Sequence, residues 1–163
     1  MNIIIKNRFL LYKGYKIKCS IGKNGTSYSK KEGDLSTPKG FFKIGPLYYR
    51  KDRIKLKKCK IKKKIIKKNM GWCDDIKSKK YNREICFPFK YNAERLYINK
   101  KIYDIFINIK YNYTPTLKGK GSAIFLHLTD KKYKGTKGCI AIHKKDFMNI
   151  LPLINSKTRI LIK

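Results

Sequence analysis

Apart from one segment near the C-terminus, the apolar residues of this 163-residue chain fall in short runs bounded by turn formers. Runs of that length suit strands and are too short for stable helices, so the patterning confines the chain to a mainly β fold. Phe9 to Tyr12 and Tyr15 to Cys19 flank Lys13-Gly14 and predict a tight hairpin. Arg95 to Ile98 and Lys101 to Ile109 flank Asn99-Lys100 and predict a second one. The run from Ile102 to Ile109 is apolar enough to lie in the middle of a sheet. Phe41 to Ile44, Ser122 to Leu128 and Thr158 to Ile162 read as further strands. Only Phe147, Ile150, Leu151 and Ile154 recur at helical spacing, predicting one short helix over 145–154 whose last turn is limited by Pro152.

Length fits a single domain over 1–163, and 42% hydrophobic with 13% aromatic residues argues against disorder. Charge is the abnormal feature: 42 Lys and Arg against 10 acids give a formal +32. Such a field suggests a polyanionic partner, with the stretch 50–68, which carries twelve Lys or Arg, as a landing site for nonspecific contact. Against this, the cations are 36 Lys and only 6 Arg, beside 24 Ile and no Val. That is the bias of A- and T-rich codons, and planar recognition of nucleic acid favours Arg. A solvated insertion or weak edge strands is the plainer reading of 50–68.

Five cysteines (Cys19, Cys59, Cys73, Cys86, Cys139) form an odd set without C-x-x-C spacing and predict neither a disulfide framework nor a metal site. No cofactor is expected. The first residues are broken by charge and do not read as a signal peptide, and no run is long enough for a membrane span.

Covalent acyl transfer needs a nucleophile, a base and donors for an oxyanion. With only two histidines the search is short. His127 ends an apolar strand, and twelve positions later Cys139 follows Gly138, a residue that permits a tight turn and leaves backbone amides free. Lys137 adds positive charge that favours a thiolate. On spacing alone the ordinary alternatives stay open: a small buried cysteine and a half-buried histidine at a strand end. Asp104 is a candidate to orient His127, set below a structural role. Tyr111 and Tyr113, just after the central strand, are placed to line a cleft. Glu32 and Asp34 read as loop-stabilising acids.

The strand ending in His127 followed by Thr136-Lys137-Gly138-Cys139-Ile140 resembles the signature of L,D-transpeptidases with the YkuD-type catalytic domain. The resemblance extends to Glu32-Gly33-Asp34 with Thr37-Pro38-Lys39-Gly40, to Gly71-Trp72-Cys73-Asp74-Asp75, to Tyr81-Asn82-Arg83, to Ala93-Glu94-Arg95-Leu96 and to Gly121 through His127. Departures are Leu128, Lys137 and Ala141, where many relatives carry Gly, His and Arg. The resemblance implies a β-sandwich-type catalytic domain with one short helix after the catalytic Cys. It implies Cys139 as nucleophile, His127 as base, the amides of Gly138 and Cys139 as oxyanion donors, and Lys137, Thr136 and Tyr111 as substrate contacts. The partner so implied is the stem peptide of peptidoglycan, cross-linked or trimmed in the periplasm or cell envelope. A polyanion-binding protein without catalysis is the competing reading.

Overall fold

The computed structural model describes residues 1–56, 58–129 and 132–163. Three strands open the chain: β1 (Ile3–Lys6), β2 (Phe9–Tyr12) and β3 (Tyr15–Lys18). The β2–β3 hairpin is the one the sequence predicts, with Tyr12 opposite Tyr15 and Lys13 and Gly14 both at positive φ, as a two-residue hairpin turn demands. A second turn of the same kind joins β1 to β2 through Asn7 and Arg8.

After the short pair β4 (Thr26–Ser27) and β5 (Thr37–Pro38) comes the longest strand, β6 (Gly40–Tyr49). It runs well past the predicted Phe41 to Ile44 because Gly45-Pro46 does not end it. A register shift opposite Ile107 and Ile109 absorbs the two residues, a bulge that accommodates a proline unable to donate to the ladder. Then follow β7 (Lys63–Ile65), β8 (Met70–Cys73), β9 (Glu84–Cys86), β10 (Ala93–Arg95), β11 (Ile105–Ile109), β12 (Phe125–Leu128), β13 (Ile140–Ile142), α1 (Lys144–Ile150) and β14 (Arg159–Ile162). Pro152 falls in a 3-10 turn over Leu151–Leu153, so the predicted helix is shorter than its apolar spacing.

One sheet runs β13-β12-β11-β6-β14-β1-β2-β3, with β7 added in parallel to β6. Its two ends meet. Just after β3, Ser20 exchanges backbone hydrogen bonds of 2.8 and 3.0 Å with Ala141 of β13. The sheet thus wraps around a core of Leu10, Leu47, Ile107, Leu126, Ile140 and Ile160 together with the helix residues Phe147 and Ile150. A three-stranded sheet, β10-β8-β9, covers the outer face of β6, β11 and β12. Between the two layers lies a second, aromatic core: Tyr48 stacks on Phe106 at 4.8 Å, Phe106 meets Phe125 at 4.6 Å, and Trp72 meets Phe125 edge-on at 5.1 Å. The mainly β, layered architecture with one short helix is the one expected.

The second predicted hairpin does not form. Residues 93–95 pair with β8, and Lys101–Tyr103 make a 3-10 turn instead of a strand. Both edges of β11 are already taken by β6 and β12, which leaves β10 no place beside it. The 50–68 stretch supplies the edge strand β7, yet its Ile54, Ile61 and Ile66 are buried, so apolar anchors tie it to the body while its lysines face outward. Lys57 within that stretch lies outside the described residues.

Phe106 is fully buried and contacts three other rings, Tyr48, Tyr103 and Phe125. Phe106→Ala should lower the unfolding free energy by about 3–5 kcal/mol, read as the shift of the urea midpoint at unchanged slope. A loss under about 1 kcal/mol would mean that the second core is not a packed layer.

Candidate active site

Strict alternation places the chemistry. In β12, Leu126 and Leu128 point into the enclosed core, so Phe125 and His127 face the outer layer. In β13, Ile140 and Ile142 point inward, so Ala141 faces outward. His127 pairs with Ala141 in the parallel ladder, and Cys139, two residues earlier, lies on the same outer face, diagonal to His127. Both residues line a cavity of about 650 Å³ between the wrapped sheet and β10.

The imidazole is fixed by backbone. His127 Nδ1 lies 2.8 Å from the carbonyl oxygen of Leu128, which can only accept, so Nδ1 carries the proton and Nε2 keeps its lone pair. The Tyr103 ring stands edge-on to the imidazole, with centroids 5.5 Å apart. Asp104, a candidate for that orienting role, instead pairs with Arg53 at 2.9 Å. The thiol is held as well: Cys139 Sγ donates to Ala123 O at 3.1 Å and accepts from Phe125 N–H at 3.3 Å.

Burial governs both protonation states. It pushes the Cys139 thiol up to about 12, with the negative charge of Glu94 acting in the same direction. It pulls His127 down to about 4 against the help of the Leu128 carbonyl. At neutral pH the resting pair is therefore thiol and imidazole, both uncharged, and not an ion pair. Lys137 sits exposed on the cavity rim within electrostatic reach of Glu94, and the cation that lowers the thiol is the buried Lys30.

The turn before Cys139 is tied by Thr136, whose hydroxyl donates to Cys139 O at 2.6 Å and accepts from Gly138 N–H at 3.1 Å. Gly138 takes φ +138, open only to glycine, and a Cβ there would lie 2.8 Å from Ser36 O. Of the two amides expected to serve an oxyanion, that of Gly138 is thus engaged by Thr136. The amide of Cys139 has no acceptor among the described residues.

Thr136 and Lys137 line the cavity, whereas Tyr111 does not. Its ring meets Phe42 edge-on, its hydroxyl donates to Lys120 O at 2.5 Å, and it lines a separate groove with Tyr28, Tyr113 and Leu117. Three acids that sequence reasoning gave no chemistry do reach the cavity: Glu32, Asp74 and Glu94. Tyr81 donates to Glu32, Asn92 to Asp74 at 2.8 Å and Tyr103 to Glu94 at 2.8 Å. Each lies in a segment quoted above for its family resemblance, which was the one signal available. Asp34 does stabilise its loop, accepting from Lys30, Lys31 and Ser36.

A thiol and an imidazole on one sheet face, both lining one cavity, are the residue types that covalent acyl transfer requires. The family model of the YkuD L,D-transpeptidase catalytic domain matches residues 3–162, and the chain belongs to that family. No curated protein and no solved structure matches it.

Neutral burial of His127 carries a pH signature. Its proton affinity is lowered on folding, so between pH 6.5 and about 4 the unfolded chain binds the extra proton and stability falls as pH falls. The contribution is on the order of 3 kcal/mol. His127→Gln should lose distinctly less stability than wild type between pH 7 and 4.5 in urea melts. Equal losses would show that the imidazole is not buried neutral.

Proposed function

We propose that the protein is a peptidoglycan L,D-transpeptidase. Cys139 attacks the carbonyl of the third residue, a diamino acid, in a tetrapeptide stem while His127 Nε2 takes the thiol proton. The tetrahedral oxyanion rests on the Cys139 amide. Collapse breaks the peptide bond, His127 returns the proton to the departing D-alanine amine, and a thioester remains on Cys139. The side-chain amine of a second stem then attacks the thioester to give a 3→3 cross-link, with His127 again taking and returning the proton. Water in place of the amine makes the same site an L,D-carboxypeptidase. The setting of such a reaction is the cell envelope.

The observation that carries this reading is the placement of Cys139 and His127 on one face of a cavity with oppositely charged walls. Glu32, Asp74 and Glu94 line it together with Lys23, Lys134 and Lys137. A stem peptide is itself bipolar, with carboxylates beside the free ammonium of its diamino acid, and such walls suit both ends of it. The acids are the telling part, since a chain of formal +32 has few of them. A neutral resting pair also fits, because a thiol that ionises only as its proton passes to His127 is spared reaction with solvent oxidants.

Intact-protein mass after incubation with a carbapenem, a mimic of the acyl donor of this family, tests the nucleophile. One adduct should form on wild type and none on Cys139→Ser. A folded wild type that forms no adduct would remove the transpeptidase reading and leave polyanion contact through 50–68 as the alternative, visible as steeply salt-dependent binding. Glu94→Gln removes a charge that raises the Cys139 thiol, so carbapenem acylation should be at least as fast as in wild type, whereas transfer to a diamino acid acceptor should slow about tenfold, the value of one charge-assisted hydrogen bond. Unchanged transfer would exclude Glu94 from amine recognition.

A further inference from the structure

Thr37 is fully buried and lies far from Cys139 in sequence, yet its hydroxyl touches the peptide that precedes the nucleophile. Its Oγ1 accepts from Gly22 N–H at 2.8 Å and donates to Gly138 O at 2.8 Å. Because the oxygen is occupied as acceptor by one amide, its single proton is committed to the Gly138 carbonyl. The 138–139 peptide is planar and trans, so its C=O and N–H point in opposite directions. Holding the carbonyl back on Thr37 turns the Cys139 N–H away from Thr37, where it meets no acceptor among the described residues.

The wall behind this peptide is rigid and built around a buried ion pair. A Cβ on Gly138 would lie 2.8 Å from Ser36 O and 3.4 Å from Lys30 Nζ. Lys30 is buried, paired with Asp34 at 2.7 Å and bonded to the Lys31 carbonyl at 3.3 Å. Asp34 receives the amides of Lys31 and Ser36 and the Ser36 hydroxyl. Burial opposes its charge, but these bonds outweigh that and hold its carboxyl well below the usual range. The segment 30–37 is therefore a fixed block on which the Gly138–Cys139 peptide leans.

We propose that Thr37 is a positioning residue for the oxyanion donor: its hydroxyl sets the 138–139 peptide so that the Cys139 N–H faces the reacting carbonyl. Thr37 touches neither substrate nor reacting atoms and acts through Gly138. The inference rests on Cys139 being the nucleophile and not on which peptide it acylates.

Two reagents separate positioning from mere packing. Iodoacetamide alkylates a thiolate without forming an oxyanion, whereas p-nitrophenyl acetate acylates the thiol through a tetrahedral oxyanion and releases nitrophenolate. Thr37→Val should slow acetylation of Cys139 about 100-fold, the usual effect of removing one oxyanion donor, with alkylation within about twofold of wild type. Thr37→Ser, which keeps the hydroxyl, should restore acetylation. Thr37→Cys, a weaker donor of similar size, should fall between and supplies the measurement if the valine variant does not fold. Acetylation of Thr37→Val at the wild-type rate would overturn the proposal. So would a parallel fall of both rates, which would make Thr37 a packing residue only, or a wild type that alkylates but never acetylates. A wild type that acetylates normally yet ignores stem peptides and carbapenems would count against the transpeptidase reading and leave the role of Thr37 standing.

Discussion

Strands β11 and β12 are buried on both faces, and the rest of the molecule follows from that constraint. A strand with one wet face needs one partner layer, but Ile105 to Ile109 and Phe125 to Leu128 require two. The inner faces are served by curling the sheet until Ser20 meets Ala141. The outer faces are served by the β8–β9–β10 sheet, whose Met70 and Trp72 complete the aromatic layer. The cavity lies between this second layer and strands β12 and β13, so the face that carries Cys139 and His127 continues a hydrophobic core. Phe125 and Cys139 belong to one packed cluster, and the thiol takes a hydrogen bond from the Phe125 amide.

Building a thiol and an imidazole into a core edge fixes their electrostatics. Desolvation dominates at both Cys139 and His127, and it drives their proton affinities apart, toward neutral thiol and neutral imidazole. The pair gains charge only when a proton crosses from sulfur to nitrogen, which a bound carbonyl rewards through the developing bond. Two nearby charges adjust this balance in opposite directions: Glu94 on the open side raises the thiol and Lys30 behind the wall lowers it. A substrate ammonium beside Glu94 would cancel the first and leave the second. A cation entering the cavity beside Glu94 therefore favours the thiolate.

Much of this was legible in the sequence, for reasons that differ by element. The β2–β3 hairpin was readable because Lys13-Gly14 carries the glycine that a positive-φ turn favours. The β1–β2 turn uses Asn7 and Arg8 at positive φ, and Arg gives no such signal. β6 was cut short because Gly45-Pro46 reads as a terminator, while its bulge faces a neighbour that supplies the missing continuity. Cys139 and His127 stood out because their residue types and spacing are rare in a chain with two histidines, and both line the cavity. Glu94 and Asp74 stood unread, and Glu32 was read as a loop stabiliser, since a carboxylate at a cavity wall and one in a solvated loop share every local feature. Tyr111 misled for the converse reason: position after a central strand says where a residue leaves the sheet, not on which side of the 112–121 loop it lands.

Charge itself divides by position in a way composition conceals. Lysines dominate the outside, where each is solvated and neighbours repel weakly through water. Of the acids, Asp34, Asp52, Glu84 and Asp104 pair with cations within 2.9 Å and stabilise loops or strand edges. The cavity acids are held differently, by neutral donors: Tyr81, Asn92 and Tyr103. Neutral donors orient a carboxylate without consuming its charge, so the field of these acids projects into the cavity. Tyrosine and asparagine, like lysine, are residues of A- and T-rich codons, so it is their placement against these three acids, and not their number, that sets the charge of the cavity. The inner charge is fixed by the architecture of the cavity.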